Sequence, residues 1–252
     1  MIKLNQPRIS KLNSWDVHVE RVIEVTIEAL SLFHSDEGIN KLKEEFSIVG
    51  DWREIENKLN TVLYFFLCKA NRDLKRKKKG LNTFPQYEPQ NKNNPDDRTI
   101  EAIKRQFKRP DFIWGYADFT PSNNPDDDYK GDRTFVIECK RLGSPPSKTT
   151  ILNNKYASEG IKRFIADEHR YGEDESSSAM IGYIEDMEFE DILTQVNQAI
   201  DQKLKIDKLA KTTDWQEKST THLHHSFDRP FEKSPFTLHH LWIDLRDCYP
   251  RS

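Results

Sequence analysis

The sequence is poor in cysteine: Cys68, Cys139 and Cys248 are the only three in 252 residues, isolated and odd in number. That excludes a disulfide framework and points to a reducing compartment, so a cytoplasmic location is expected. Long apolar runs are lacking as well. No window approaches the ~18 consecutive apolar residues of a membrane span, and Met1-Ile2-Lys3-Leu4-Asn5 is not followed by a signal-peptide apolar stretch, so no membrane partner is expected. Neither charge is in large excess. The 39 basic and 42 acidic residues leave a net charge of −3, which excludes a histone-like polycation but not a local basic patch. There is no internal repeat, no Gly-rich phosphate loop and no Gly-x-Ser-x-Gly elbow, so intrinsic nucleotide hydrolysis and a hydrolase-type serine are both unsupported.

What is present reads as a folded α/β chain. Aromatic residues make up 11% of the sequence, which argues against global disorder despite 32% charged residues. Val17, Val22, Val25, Ala29, Leu32 and Phe33 recur at helical spacing and predict a helix over about 15–33. A second helix is expected to start at Asp51 as N-cap and carry Trp52, Ile55, Leu59, Val62, Leu63, Phe66 and Leu67. It would end in the run Lys75-Arg76-Lys77-Lys78-Lys79 before Gly80, and 80–97 reads as a surface loop. Phe112-Ile113-Trp114-Gly115-Tyr116 is β-prone, and after a Pro/Asn/Asp loop comes the strand Thr134-Phe135-Val136-Ile137-Glu138-Cys139-Lys140, apolar enough to be buried on both faces. Further elements are expected as a helix over 153–169, a strand over 178–184, a helix over 190–209 and a last strand over 236–245. That order predicts a mixed sheet with helices on both sides.

The chemistry concentrates on Asp111 with Glu138-Cys139-Lys140. Residues two apart on a strand share a face, so Glu138 and Lys140 project together. Two charges at the end of a buried strand cost too much for packing alone, unless they are paired or reach into a site. If the two β runs form a hairpin, Asp111 meets Glu138 at the same edge; Asp118 could replace it in another register. Two carboxylates that close repel unless a proton or divalent cation lies between them. Magnesium suits such oxygen ligands, with the Cys139 carbonyl facing the metal and the Cys139 side chain turned into packing. Lys140 could position a water or neutralise charge on phosphorus. The plainer alternative is an ion pair at a sheet edge, with Asp111 as a turn residue.

Pro110-Asp111 followed at a distance by Glu138-Cys139-Lys140 resembles the PD-(D/E)XK nuclease superfamily. The resemblance covers about half the chain, roughly 51–184, and the motif is short. It implies a restriction-endonuclease-like core, a mixed β-sheet flanked by helices, within 51–252, ending in a C-terminal helix and strand. Residues 1–50 would then be an N-terminal helical elaboration packed on that core. It further implies Asp111 and Glu138 as metal ligands, Lys140 as the catalytic lysine, and magnesium, or manganese in its place, as cofactor. A helix carboxylate is also implied, Glu54 or Glu56, with Glu56 preferred for its inward position. The implied activity is hydrolysis of phosphodiester bonds, as an endonuclease on DNA in phage defence or restriction. A helicase or ATPase partner and a homodimer are further expectations of the same analogy. A non-catalytic nucleic-acid-binding or docking subunit on the same fold is the rival reading.

For nucleic-acid contact the candidates are Lys75, Arg76, Lys77, Lys78 and Lys79, together with Tyr156 and Arg163, seven apart on one predicted helix. The basic run also suits a helix C-terminus on electrostatic grounds alone. His222, His224, His225, His239 and His240 are zinc-ligand residue types, but no cysteine stands at ligand spacing, and histidines alternate commonly on strands.

Overall fold

Apolar side chains returning every three to four positions make α1 (Ser14–Ser31) helical and turn Trp15, Val22, Val25 and Leu30 inward. The computed structural model describes residues 14–47, 54–89, 99–117, 132–148, 150–212 and 219–248. A short 3₁₀ turn leads to α2 (Asp36–Phe46), where the Ser35 hydroxyl accepts the Gly38 N–H as N-cap. The long helix α3 (Ile55–Arg76) buries Leu59, Val62, Leu63, Phe66, Leu67, Ala70 and Leu74. It closes in a Schellman turn: Lys78 takes a positive φ of 62°, and the N–H groups of Lys78 and Lys79 donate to the carbonyls of Lys75 and Leu74. A short α4 (Ile100–Gln106) precedes the first long strand.

One seven-stranded sheet joins β1 (Gln86–Tyr87), β2 (Phe112–Ala117), β3 (Asp132–Leu142), β4 (Ser177–Ile184), β5 (Ala210–Lys211), β6 (Thr220–Phe227) and β7 (Phe236–Asp244) in the order β1-β2-β3-β4-β7-β6-β5. The fold is mixed α/β. β3, β4 and β7 run parallel at the centre, and antiparallel strands flank them on both sides. Alternation along β3 separates two cores. Phe135, Ile137 and Cys139 pack with α1, α2 and α3, whereas Val136 and Leu142 pack with the helices of the opposite face. The expected N-terminal elaboration thus shares its core with α3 and the sheet, and the expected boundary at residue 50 lies outside the described residues.

The second face carries α5 (Leu152–Lys155) and α6 (Phe189–Lys203). The helix expected over 153–169 needs correction. After Lys155 it widens into a π turn (Tyr156–Gly160), tightens to 3₁₀ (Ile161–Phe164) and ends there. The helix expected to run to 209 stops at Lys203, before Lys205 adopts a positive φ of 55°. β6 was not anticipated as a separate strand. Its histidines alternate: His225 and, across the pair on β7, His240 turn to the α5/α6 side, while His222 and His239 approach each other on the other.

The buried polar groups on this face are mostly accounted for by hydrogen bonds. Arg229 donates to the carbonyls of Phe164, Tyr171, Gly172 and Glu175 and lies 3.7 Å from the Phe236 ring centroid, so one guanidinium anchors the whole 171–175 segment. Trp242 Nε1 donates to the Tyr156 hydroxyl at 2.9 Å, and that hydroxyl lies 2.7 Å from His240 Nδ1. An indole N–H can only donate, so the phenol O–H is left to donate to Nδ1, and His240 is the neutral tautomer that carries its proton on Nε2.

Two predictions follow from this packing. A Cβ on Gly182 would stand 2.4 Å from Leu142 Cδ1 and 2.6 Å from Trp242 Cδ1. Gly182→Ala should therefore lower stability in urea by about 1–3 kcal/mol, and an unchanged midpoint would refute so tight a fit. Burial depresses the ionisation of His225 and His239 from 6.5 to about 4, and that of His240 well below 6.5. The unfolded chain then binds protons that the folded chain refuses. Stability is present in full above pH 6.5 and falls as the pH drops from there towards 4. Denaturation measured at pH 7.5, 6 and 5 checks this; His240→Gln should flatten the slope.

Candidate active site

The site forms where β3 outruns its neighbour. Phe112 pairs with Ile137, and β2 begins there, because Pro110 has no N–H and the Asp111 carbonyl already accepts from Glu88 N–H at 2.9 Å. Beyond Ile137, β3 pairs among the described residues with β4 alone, which leaves its other edge without a strand there. Two carboxylates cover that edge: Asp111 Oδ2 accepts the Cys139 N–H at 2.6 Å, and Glu56 Oε2 accepts the Arg141 N–H at 3.3 Å. The sheet edge is thus completed by acidic side chains rather than by another strand.

Glu138 lies between them, with no exposed surface. Its Oε1 is paired with Arg163 and stands 3.0 Å from Lys140 Nζ, while its Oε2 is buried without a hydrogen-bond partner among the described residues. Lys140 Nζ also donates to Glu56 Oε1 and to the Cys139 carbonyl, each at 2.7 Å, so the ammonium is held by two hydrogen bonds and its ion pair with Glu138. Gly160 makes this arrangement possible. A Cβ there would come within 3.3 Å of Lys140 Cγ and 2.3 Å of Met180 Cε, so the π turn can lie close over the lysine stem only without a side chain. Asn60, one turn after Glu56 on α3, donates to Asp111 Oδ1 at 2.9 Å and accepts from the Tyr183 hydroxyl at 2.9 Å.

Charge governs this cluster. Burial, and then the Glu138 charge, pushes the Asp111 carboxyl well above its ordinary value, while Lys140 and the Cys139 N–H act the other way. For Lys140, burial acts against the charged form, yet Glu138, Glu56 and Asp111 together hold its pKa well above the usual lysine value. It is therefore an ammonium and a donor, not a base. Arg163 is likewise desolvated and likewise raised by Glu138. It also lines an open pocket with Ser158, Glu159, Lys162, Glu168 and His169, so it touches both that pocket and the buried carboxylate.

Asp111, Glu138, Lys140 and Glu56 are brought into one cluster, and the Cys139 carbonyl joins them while its side chain packs into the α1–α3 core. Glu54 is the exposed N-cap of α3, so Glu56 is the helix carboxylate at this place. Asp118 lies outside the described residues. Tyr156 is a correction: fully buried against Trp242 and His240, it has no surface to offer a nucleic acid, because the π turn keeps it over the core. Arg163 sits on Glu138 instead of standing free. The basic run 75–79 is exposed at the far end of α3, away from the carboxylates. Asn60 and Tyr183 were not singled out in the sequence. An asparagine among the inward residues Leu59, Val62 and Leu63 was the available signal, since a buried amide demands partners.

Asp111, Glu138 and the Cys139 carbonyl are oxygen donors of the type magnesium takes, and they are the groups here that could hold one. Among the described residues, no group of three or more His, Cys, Asp or Glu side chains is arranged to hold a metal ion, the histidines of β6 and β7 included. A metal here would therefore need the Cys139 carbonyl and non-protein ligands to complete its shell. Comparisons with protein-family models, with curated proteins and with solved structures find no match for this chain. Arg163→Met should cost about 3 kcal/mol, because it leaves Glu138 buried with Lys140 as its one cationic neighbour. Adding Glu138→Gln should recover part of the loss in a double-mutant cycle; additive losses would show that the pair does not interact.

Proposed function

We propose that the protein is a metal-dependent nuclease that hydrolyses phosphodiester bonds, built on a restriction-endonuclease-like version of this α/β fold. The observation that carries the reading is the convergence of Asp111, Glu138, Lys140 and Glu56, from β2, β3 and α3, on the open edge of one strand. Nothing in the packing of an apolar sheet requires four charged groups at that point, and ion pairing alone leaves Glu138 Oε2 unsatisfied. Asp111, Glu138 and the Cys139 carbonyl would hold magnesium, or manganese, which would supply Lewis-acid polarisation of the phosphate and a more acidic water.

The chain's own groups divide the remaining work. Asn60 fixes the Asp111 carboxylate by one oxygen while the Cys139 N–H holds the other, so that carboxylate cannot rotate. Lys140 keeps its proton and presents positive charge where negative charge builds on phosphorus, with Glu56 holding the ammonium in line. Arg163 stands between Glu138 and the open pocket, where it can pass from the carboxylate to an incoming phosphate. DNA is the favoured substrate, and phage defence or restriction the favoured setting, both by analogy with the superfamily that the motif resembles.

A cleavage assay on supercoiled plasmid, linear duplex, single-stranded DNA and RNA tests the proposal. Wild-type protein should cut with magnesium or manganese and not with EDTA. Lys140→Met, which keeps the buried stem, should lower the rate by at least about 100-fold while thermal unfolding remains cooperative. Asp111→Asn should do the same through loss of metal affinity. Cleavage retained by either folded variant removes the assignment. A folded wild type that binds these substrates but cuts none with either metal would favour the non-catalytic subunit instead.

A further inference from the structure

The carboxylate cluster at the start of α3 and the basic run at its end are connected by one exposed stripe. Residues 57, 61, 64, 68, 72 and 75 are spaced by threes and fours, which places Asn57, Thr61, Tyr64, Cys68, Arg72 and Lys75 on one side of the helix. All are exposed except Cys68, which is half-buried. The 22 residues of α3 extend about 33 Å, so the stripe runs from Glu56 in the site to the lysines at the far end.

Its middle is aromatic. Tyr64 leaves 37% of its surface in water, yet its ring is held by stacking. The Tyr64 and Tyr87 centroids are 5.9 Å apart with planes at 23°, and Tyr87 stacks on Phe112 at 5.3 Å and 28°. The Tyr87 hydroxyl donates to the Asn57 carbonyl at 3.4 Å, and Phe112 is the residue after Asp111. An ordered ring stack therefore leads from the solvent to the site. The charges on α3 sort themselves by side. Lys58 and Lys69 are paired with Glu45 and Glu37 of α2, and Asp73 with Arg76, whereas Arg72, Lys75 and Lys77 project from the exposed side and end.

We propose that this side of α3 is a track for a single polynucleotide strand, with a base stacked on Tyr64 and backbone phosphates on Arg72, Lys75 and Lys77. A duplex hides the faces of its bases, whereas an unpaired strand offers each of them to an aromatic ring, and cations along the same line meet the phosphates. The inference deepens the nuclease reading and rests on it for what happens at the Glu56 end. It names the substrate as unpaired nucleic acid delivered along α3.

Binding and cutting are measured separately. Fluorescence anisotropy in EDTA uses labelled single-stranded DNA, single-stranded RNA and duplex DNA of about 15 nucleotides. Wild-type protein should bind single strands more tightly than duplex, and the two single-stranded arms decide between the sugars. Tyr64→Ala should weaken single-strand binding by about five- to a hundredfold, and Tyr64→Phe, which keeps the ring, should restore it. Replacing Arg72, Lys75 and Lys77 together by Gln should reduce the slope of log affinity against log salt by about 2. Lys203→Ala, a charge loss on α6 across the sheet, should change neither. Unaltered single-strand affinity in Tyr64→Ala, or no single-strand binding by folded wild type, overturns the track even if magnesium-dependent cutting is found. Affinity lost in Tyr64→Ala without any cutting by the wild type keeps the track and removes the nuclease.

Discussion

A carboxylate with no access to water, Glu138, is the constraint around which this structure is organised. It stands on the buried stretch 135–142 of β3, so its charge must be met from nearby, and the chain brings two cations to one of its oxygens. Lys140 comes from the same strand, two residues along. Arg163 comes from the 3₁₀ turn, and that turn is itself fixed by Arg229, whose guanidinium donates to the Phe164 and Tyr171 carbonyls. Losing any of these would leave a buried charge or a buried carbonyl unmatched. The geometry of α5, the 171–175 segment and the β3 edge are therefore coupled to a single side chain.

The same constraint bears on the charge balance of the cluster as well as on the fold. One oxygen of Glu138 is saturated and the other has no partner, and Asp111 is pushed towards protonation by burial and by the Glu138 charge. An arrangement that still lacks positive charge will take up a cation or a proton. Lys140, by contrast, is held by two hydrogen bonds and an ion pair, and its charge is reinforced by three carboxylates. The site is therefore fixed on its lysine side and receptive on its carboxylate side. Arg163 links Glu138 to the open pocket, and the α3 stripe begins at Asn57, the residue after Glu56.

Much of this was legible before any coordinates. The run 134–140 read as a doubly buried strand because its apolar residues are continuous, and the Glu-x-Lys at its end was anomalous for the same reason. The hairpin with 112–116 and the choice of Glu56 over Glu54 followed from strand and helix periodicity, and both are found. Tyr156 shows the limit of such reading. Seven-residue spacing puts Tyr156 and Arg163 on one side only if the helix stays α-helical, and the π turn at 156–160, followed by 3₁₀, breaks that phase. The His-rich segment was ambiguous between strand and loop. Pairing with β7 decided it, and put His225 and His240 on one face and His222 and His239 on the other.

The sequence by itself determined what nearest neighbours along the chain can encode: the helical face of α3, the burial of β3, and the types of residue available at its end. Only the tertiary structure decided partners that lie far apart in the chain. Asn60 meets Asp111 from 51 residues away, Lys140 meets Glu56 from 84, and Tyr183 meets Asn60 from 123. Periodicity fixes the face on which a side chain lies, but its partner depends on how whole layers stack. That stacking is set by the summed packing of two cores, and no local pattern carries it.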